Sequence, residues 1–283
     1  MRSEVFVGSE ALASGAVSPY ELRRWHRSLF RDVYLPARCE PSLRDRTVAA
    51  WLWSKGRGVI AGVAASALHG APWVDVTTPI ELIGGSTRRQ PGLIVRSESL
   101  APDEITHVAG IPVTTLERTA FDLGRHLPRD LAVARLDALK WATPFRDRDV
   151  LRLVDRHPGA RGLKALRVAL PFVDGGAQSP RETALRLWFV DAGLPRPRTQ
   201  LPVLEARNRR VRVLDMGWED FMVGAEYDGD QHRTDRPQYA KDVRVKRTLA
   251  RLGWKVTFVI KEDRKDDVVQ SVWDAMISRG WRP

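Results

Sequence analysis

Two short apolar runs near the C-terminal end of this chain are interrupted by acids. Val211-Arg212-Val213-Leu214-Asp215-Met216 alternates like a strand and reaches a carboxylate. Phe221-Met222-Val223-Gly224-Ala225-Glu226-Tyr227-Asp228-Gly229 reads as a second strand carrying two more. Residues two apart on a strand face the same way, so Glu226 and Asp228 share a face. Carboxylates set among apolar strand residues are costly unless they are hydrated, protonated or bound to a cation. Mg²⁺ or Mn²⁺, hard cations that take oxygen ligands and keep several waters, is the usual solution.

The neighbouring segments fit a sheet flanked by helices. Ser179-Pro180-Arg181-Glu182 opens a helix through Leu185, Trp188, Phe189 and Ala192, with Ser179 as N-cap, Pro180 in the first turn and Gly193 as the stop. Glu182 falls on the buried face of that helix. Tyr239 to Leu252 reads as a helix stopped by Gly253, Trp254 to Ile260 as a third strand, and Val268, Val269, Val272, Trp273 and Met276 mark a last helix. The predicted order is α-β-β-α-β-α, a mixed sheet with helices on its faces. Asp174-Gly175-Gly176-Ala177-Gln178 is the clearest linker, so a domain covers residues 179–283.

With 283 residues, 43% hydrophobic and 29% charged, the chain is long enough for two or three domains and ordinary for a globular protein. Residues 1–40 carry helix and turn signals in winged helix-turn-helix order. A short helix ends at Gly15, and Ser18-Pro19-Tyr20-Glu21 forms a capping box for a second helix through Arg27. Phe30 to Pro36 follows as a strand of the wing. Arg23, Arg24 and Arg27 would line one edge of the second helix, within reach of phosphates, as would Arg244 and Lys246 on the late helix. Residues 41–172 form an α/β and helical middle region, with helices over Arg44–Lys55 and Ala61–Gly70 and strands at Pro79–Ile83, Gly92–Arg96 and Ile111–Thr115. A helix capped by Thr115 places Arg118 and Asp122 four residues apart. His69 and His107 stand alone in this region, which is the usual mark of a structural histidine. Trp25, Trp51, Trp53, Trp141 and Trp188 are expected in cores or between domains.

The 46 basic residues outnumber the 35 acidic ones, a net charge of +11 spread on both sides of the linker. That balance favours a polyanion, duplex DNA before any membrane surface. The apolar run near Val59–Leu68 is broken by Gly62 and Ser66 and is too short to span a bilayer. The first residues lack the apolar core of a secretory signal, so a cytoplasmic location is expected. One cysteine, Cys39, leaves no disulfide and no cysteine-based zinc site within a chain.

Ser-x-x-Glu182, a strand ending in Asp215, Glu226-Tyr227-Asp228-Gly229-x-x-His232, then Asp242, Leu249 and Gly253-Trp254 occur in the order of a known family. Residues 179–283 resemble the domain related to very-short-patch repair (Vsr) endonucleases, within the PD-(D/E)XK nuclease superfamily. The N-terminal part is similar, more weakly, to the winged-helix antitoxin domain of AbiEi-type proteins and the α/β region after it. The first resemblance implies a restriction-endonuclease-like fold and phosphodiester hydrolysis with Mg²⁺ or Mn²⁺. Asp215, Glu226 and Asp228 would hold the metal, Glu182 would orient its water, His232 would act as base or touch the phosphate, and Asp242 would hold His232 or a water from the neighbouring helix. Two positions depart from that family. Its signature lysine is Asp228 here, with Lys241, Lys246 or Lys261 as replacements from elsewhere, and its helix arginine is Val245, flanked by Arg244 and Lys246 on other faces. Plainer explanations stand beside each residue: Glu182 as a capping-box acid, Asp228-Gly229 as hairpin chemistry, His232 as a loop histidine, and Asp242 with Lys246 as a surface pair. The expectations are therefore a DNA endonuclease with a winged-helix targeting domain, an antitoxin-like regulator with a silent nuclease fold and a possible toxin partner, or a protein-sequestering module. The oligomeric state is left open.

Overall fold

A computed structural model describes residues 4–85, 88–205, 209–228 and 236–283, which group into two compact units, one running to Pro171 and one from Phe172. The mixed α/β class expected from the pattern is the class observed, with three separate sheets among the described residues.

The first unit begins with β1 (Phe6–Val7), α1 (Gly8–Ala13), α2 (Pro19–Trp25), β2 (His26–Phe30) and β3 (Val33–Pro36), an antiparallel sheet in the order β1-β3-β2. The single strand predicted over Phe30–Pro36 is thus a hairpin, turned at Asp32, whose backbone is left-handed (φ 61°). Asp32 ties that turn to α1 by accepting from the Ser9 amide at 2.8 Å. The capping box at Ser18 and Glu21 forms in both directions, at 2.8 and 3.2 Å. Ser42 and Asp45 cap α3 (Leu43–Trp53) the same way, and Ala49 and Ala50 of α3 are fully buried with Phe30 and Val33.

Next come β4 (Val59–Ala61), α4 (Gly62–Leu68), β5 (Ile80–Ile83), β6 (Leu93–Arg96), β7 (Ile105–Val108) and β8 (Ile111–Thr114), a five-stranded sheet in the order β6-β5-β4-β8-β7. The strands expected at Pro79–Ile83 and Gly92–Arg96 form as β5 and β6, and the two pair in parallel. Four helices follow: α5 (Leu116–His126), α6 (Arg129–Ala142), α7 (Asp147–Arg156) and α8 (Leu163–Ala169). Every residue of α5 from Arg118 to Arg125 is buried. Gly162 caps α8 in the left-handed region (φ 83°), where a Cβ would run into the Arg125 carbonyl, so only glycine lets α8 close onto α5.

The second unit contains α9 (Pro180–Asp191), β9 (Arg198–Glu205), β10 (Arg209–Trp218), β11 (Val223–Tyr227), α10 (Arg236–Arg251), β12 (Lys255–Val259) and α11 (Lys265–Ser278). Its sheet runs β12-β11-β10-β9, with β11 and β12 parallel and the other pairs antiparallel. Strand β9 is an addition to the predicted order. Pro202 hides it in the sequence, and an edge strand is where a sheet tolerates proline. One face of the sheet buries Phe189, Met216, Ala225, Val272 and Met276 with α9 and α11. The other buries Leu201, Val203, Leu214 and Leu249, with α10 against β10 and β12.

Candidate functional site

In the second unit three of the predicted acids share one electrostatic neighbourhood. Glu182 sits one turn into α9 because Ser179 caps that helix, its Oγ accepting from the Glu182 amide at 3.1 Å. The Glu182 carboxylate is 8% exposed and accepts from the Gln178 amide at 2.8 Å and from Gln200 Nε2 at 3.3 Å. It reaches back past the cap, so it is not the capping-box partner of Ser179. Burial raises its pKa above the ordinary carboxylate value.

Met216 pairs with Ala225 across β10 and β11, and Asp215 and Glu226 are the next residues along the two strands. Asp215 Oδ2 accepts from the Tyr227 amide at 2.7 Å. Burial first, then the Glu182 charge, push the Asp215 carboxyl up to about 7, with Glu226 adding to the shift and the Tyr227 amide and Arg212 opposing it. Glu226 is 4% exposed, and Arg212 holds both of its oxygens, Nε to Oε1 at 2.9 Å and Nη2 to Oε2 at 2.8 Å. A two-pronged guanidinium–carboxylate contact is the strongest form of charge-assisted hydrogen bond. The Glu226 bond, then the charges of Glu226, Asp242 and Asp215, hold Arg212 above its ordinary pKa against partial desolvation.

The remaining predicted residues fall at the margin. Asp228 follows the end of β11, half-exposed, 3.8 Å from Lys246 of α10. Lys246 also lies over the Phe258 ring at 4.0 Å, so it is tethered within the fold. Asp242 faces the field of Arg212 from α10, and Arg244 is exposed on the same helix. His232 lies outside the described residues.

The donor atoms of these acids fit a divalent ion poorly. Glu226 has both oxygens on Arg212, while Asp215 and Glu182 each have one oxygen on a backbone amide. Among the described residues, the group of three or more carboxylates and imidazoles whose atoms all lie within 4.8 Å of one another is Glu98, Asp122 and His126 of the first unit, not this set.

That other cluster is one the sequence reading missed. Arg118 of α5 donates from Nε to Asp122 at 3.1 Å, and from its remaining nitrogens to Glu104, Glu98 and the Ser99 carbonyl. Arg125 bonds Asp122 at 2.8 Å and also Glu98, and both guanidiniums lie over the Phe121 ring, at 5.5 and 4.9 Å. His126 and His157 take Glu98 and Glu104 at 3.1 and 2.7 Å. Two arginines already neutralise these acids. Burial raises the Asp122 pKa, whereas hydrogen bonds from His126 and Arg125 overcome burial and hold Glu98 near 2. Glu98, Arg118, Arg125, His126 and His157 of this group line a cleft of about 800 Å³.

In the N-terminal segment, Arg23 and Arg24 are exposed in the last turn of α2. Tyr20 and Trp25 flank them, 63% and 55% exposed, with ring centroids 6.3 Å apart. Trp25 is therefore no core residue, and neither is Trp141, 47% exposed and stacked obliquely on Trp73. Arg27 departs from its expected place. It belongs to β2, not to the helix, and is spent on Glu40 at 3.2 Å and on the Cys39 carbonyl. His69 is structural as expected, its Nε2 2.8 Å from the Thr114 carbonyl.

Residues 61–172, from the start of α4 to the end of the helical array, match the AbiEi antitoxin C-terminal domain. Two proteins of Mycobacterium tuberculosis named as uncharacterized, MT2308 of strain CDC 1551 / Oshkosh and Rv2248 of strain H37Rv, are each 30% identical to this chain over 226 residues, covering 79% of it and 82% of theirs. The chain belongs to the same family as these mycobacterial proteins. No solved structure matches it. The buried network of Glu98, Glu104, Arg118, Asp122 and Arg125 lies wholly inside the AbiEi-matching segment. Among the described residues, no helix is long and apolar enough to cross a membrane.

Proposed function

We propose that this chain is an AbiEi-type antitoxin that binds duplex DNA as a regulator and carries a nuclease-like C-terminal domain that does not cut. The observation that carries the reading is the antitoxin match over residues 61–172, preceded in the same unit by α1, α2 and the β2–β3 hairpin, with α3 between. The three-strand order β1-β3-β2 with α1 and α2 before the hairpin is that of a winged helix, and α2 is the helix that enters a groove. Arg23 and Arg24 then contact phosphates, with Tyr20 and Trp25 beside them against sugar or base edges. The partner protein is a toxin, held by the antitoxin-matching segment. The net charge of +11 supports the DNA arm of this reading.

The test is fluorescence anisotropy with a duplex from the chain's own promoter region. Arg23→Ala combined with Arg24→Ala is expected to weaken binding about 10–100-fold and to flatten the salt dependence by about two phosphate contacts. Arg27→Ala, a residue paired within the fold, is expected to leave the affinity near wild type. Equal affinity for wild type and the double variant would remove α2 from the interface.

A second reading, the metal-dependent endonuclease, is favoured by the field that Glu182, Asp215 and Glu226 share. It requires Mg²⁺ or Mn²⁺ on Asp215, Glu226 and Asp228, and therefore requires Arg212 to leave Glu226. Metal-dependent nicking of plasmid that disappears in Asp215→Ala and Glu226→Ala would favour it over the silent domain.

A further inference from the structure

The acidic centre of the second unit already contains a cation, one that belongs to the chain. Arg212 and the acids it meets come from different elements: Arg212 and Asp215 from β10, Glu226 from β11, Asp242 from α10. Its two bonds to Glu226, at 2.9 and 2.8 Å, use the guanidinium fork on both carboxylate oxygens. The same charge acts on Asp242 and Asp215. Glu182 and Asp215 satisfy one oxygen each on the Gln178 and Tyr227 amides.

We infer that Arg212 closes this acidic centre against divalent cations, holding the Glu226 oxygens that the endonuclease reading assigns to a metal ion. A dication on Glu226 would have to take the oxygens that the guanidinium holds and would then face that guanidinium at close range. Two like charges a few ångströms apart in a part-buried site repel far more strongly than in water. Arginine does not escape by losing its proton at any ordinary pH. The ion can enter only if this side chain, 42% exposed, swings out into water and gives up both of its bonds to the buried Glu226 carboxylate. Arg212 is thus a specificity-determining residue: with it, the centre takes no Mg²⁺ or Mn²⁺; without it, the same carboxylates become a hard-cation site of the oxygen-rich kind. This holds whether or not the chain binds DNA.

The experiment is a Mn²⁺ titration of the full chain followed by the electron-paramagnetic-resonance signal of free Mn²⁺. Wild type is expected to show no saturable site at millimolar Mn²⁺. Arg212→Gln is expected to gain one site, at least roughly tenfold tighter than any wild-type binding. Arg212→Gln combined with Glu226→Gln keeps the pair neutral and removes the contested ligand, so it is expected to stay blind to Mn²⁺. Arg212→Lys keeps a charge but loses the fork, and is expected to gain a weaker site; it serves if the Gln variant does not fold. Saturable Mn²⁺ binding by wild type that Asp215→Asn abolishes would overturn the inference. So would the failure of both folded Arg212 variants to gain a site, or an equal gain in the double variant. Duplex affinity measured on the same samples reports separately on the regulatory reading.

Discussion

Arg118→Met is expected to destabilise the first unit by about 3–5 kcal/mol, the cost of breaking a buried ion cluster from one side. Arg118 is 1% exposed, and its guanidinium is shared among Glu98, Glu104 and Asp122, of which Glu104 and Asp122 are also 1% exposed. Methionine fills much of the same volume but leaves those carboxylates with less than their balancing charge. Arg125 and the two histidines can answer only part of the deficit. Urea unfolding followed by circular dichroism checks this through the midpoint at constant slope. Arg118→Met with Asp122→Asn and Glu104→Gln removes charge from both sides and is expected to recover part of the loss, since replacing a whole buried ion group is often near neutral. A loss under about 1 kcal/mol for the single change would mean that water reaches the cluster and the burial argument is wrong.

Asp215→Asn is expected to act in the opposite sense and only above acidic pH. In the unfolded chain the Asp215 carboxyl titrates near its ordinary 3.8; in the fold it titrates near 7. Below the lower value both states hold the proton and nothing changes. Between the two values the unfolded chain has released its proton and the fold has not, so stability falls as pH rises. Above the upper value the whole penalty of a buried, acid-flanked charge applies, roughly 2–4 kcal/mol after allowance for partial solvent access. Glu182, raised by its own burial, adds in the same direction. Asparagine keeps an acceptor for the Tyr227 amide and cannot ionise. The variant should therefore melt several degrees above wild type at pH 8 and match it near pH 4, by scanning calorimetry. A pH-independent difference would show that packing, not ionisation, governs the site.

Local signals in the sequence carried most of the helices. Ser18 with Glu21, Ser179 before Pro180, and Thr115 before α5 are short-range hydrogen-bond devices, and each forms where the residues stand. Longer-range features were not legible. Bonded members of the Arg118 cluster lie up to 53 residues apart, as with His157 and Glu104, so only the steps from Asp122 to Arg118 and Arg125 are local in the chain. Strand β9 hides behind Pro202, and the parallel pairing of β5 with β6 depends on a sheet that closes through β4 and β8. In the acidic centre, Glu182, Asp215 and Glu226 could be picked out because acids break apolar runs. Arg212 could not, because a basic residue on an alternating strand looks like an ordinary solvent-facing position until its partner on the next strand is known.

One measurement reaches the centre of the account: binding of the full chain to its own promoter duplex over a range of salt, in EDTA and in Mg²⁺, with the DNA recovered and its length checked. The regulatory reading predicts affinity that falls steeply with salt, is the same in EDTA and in Mg²⁺, and returns intact DNA. Binding that appears only with Mg²⁺, together with nicked or shortened DNA, would contradict it.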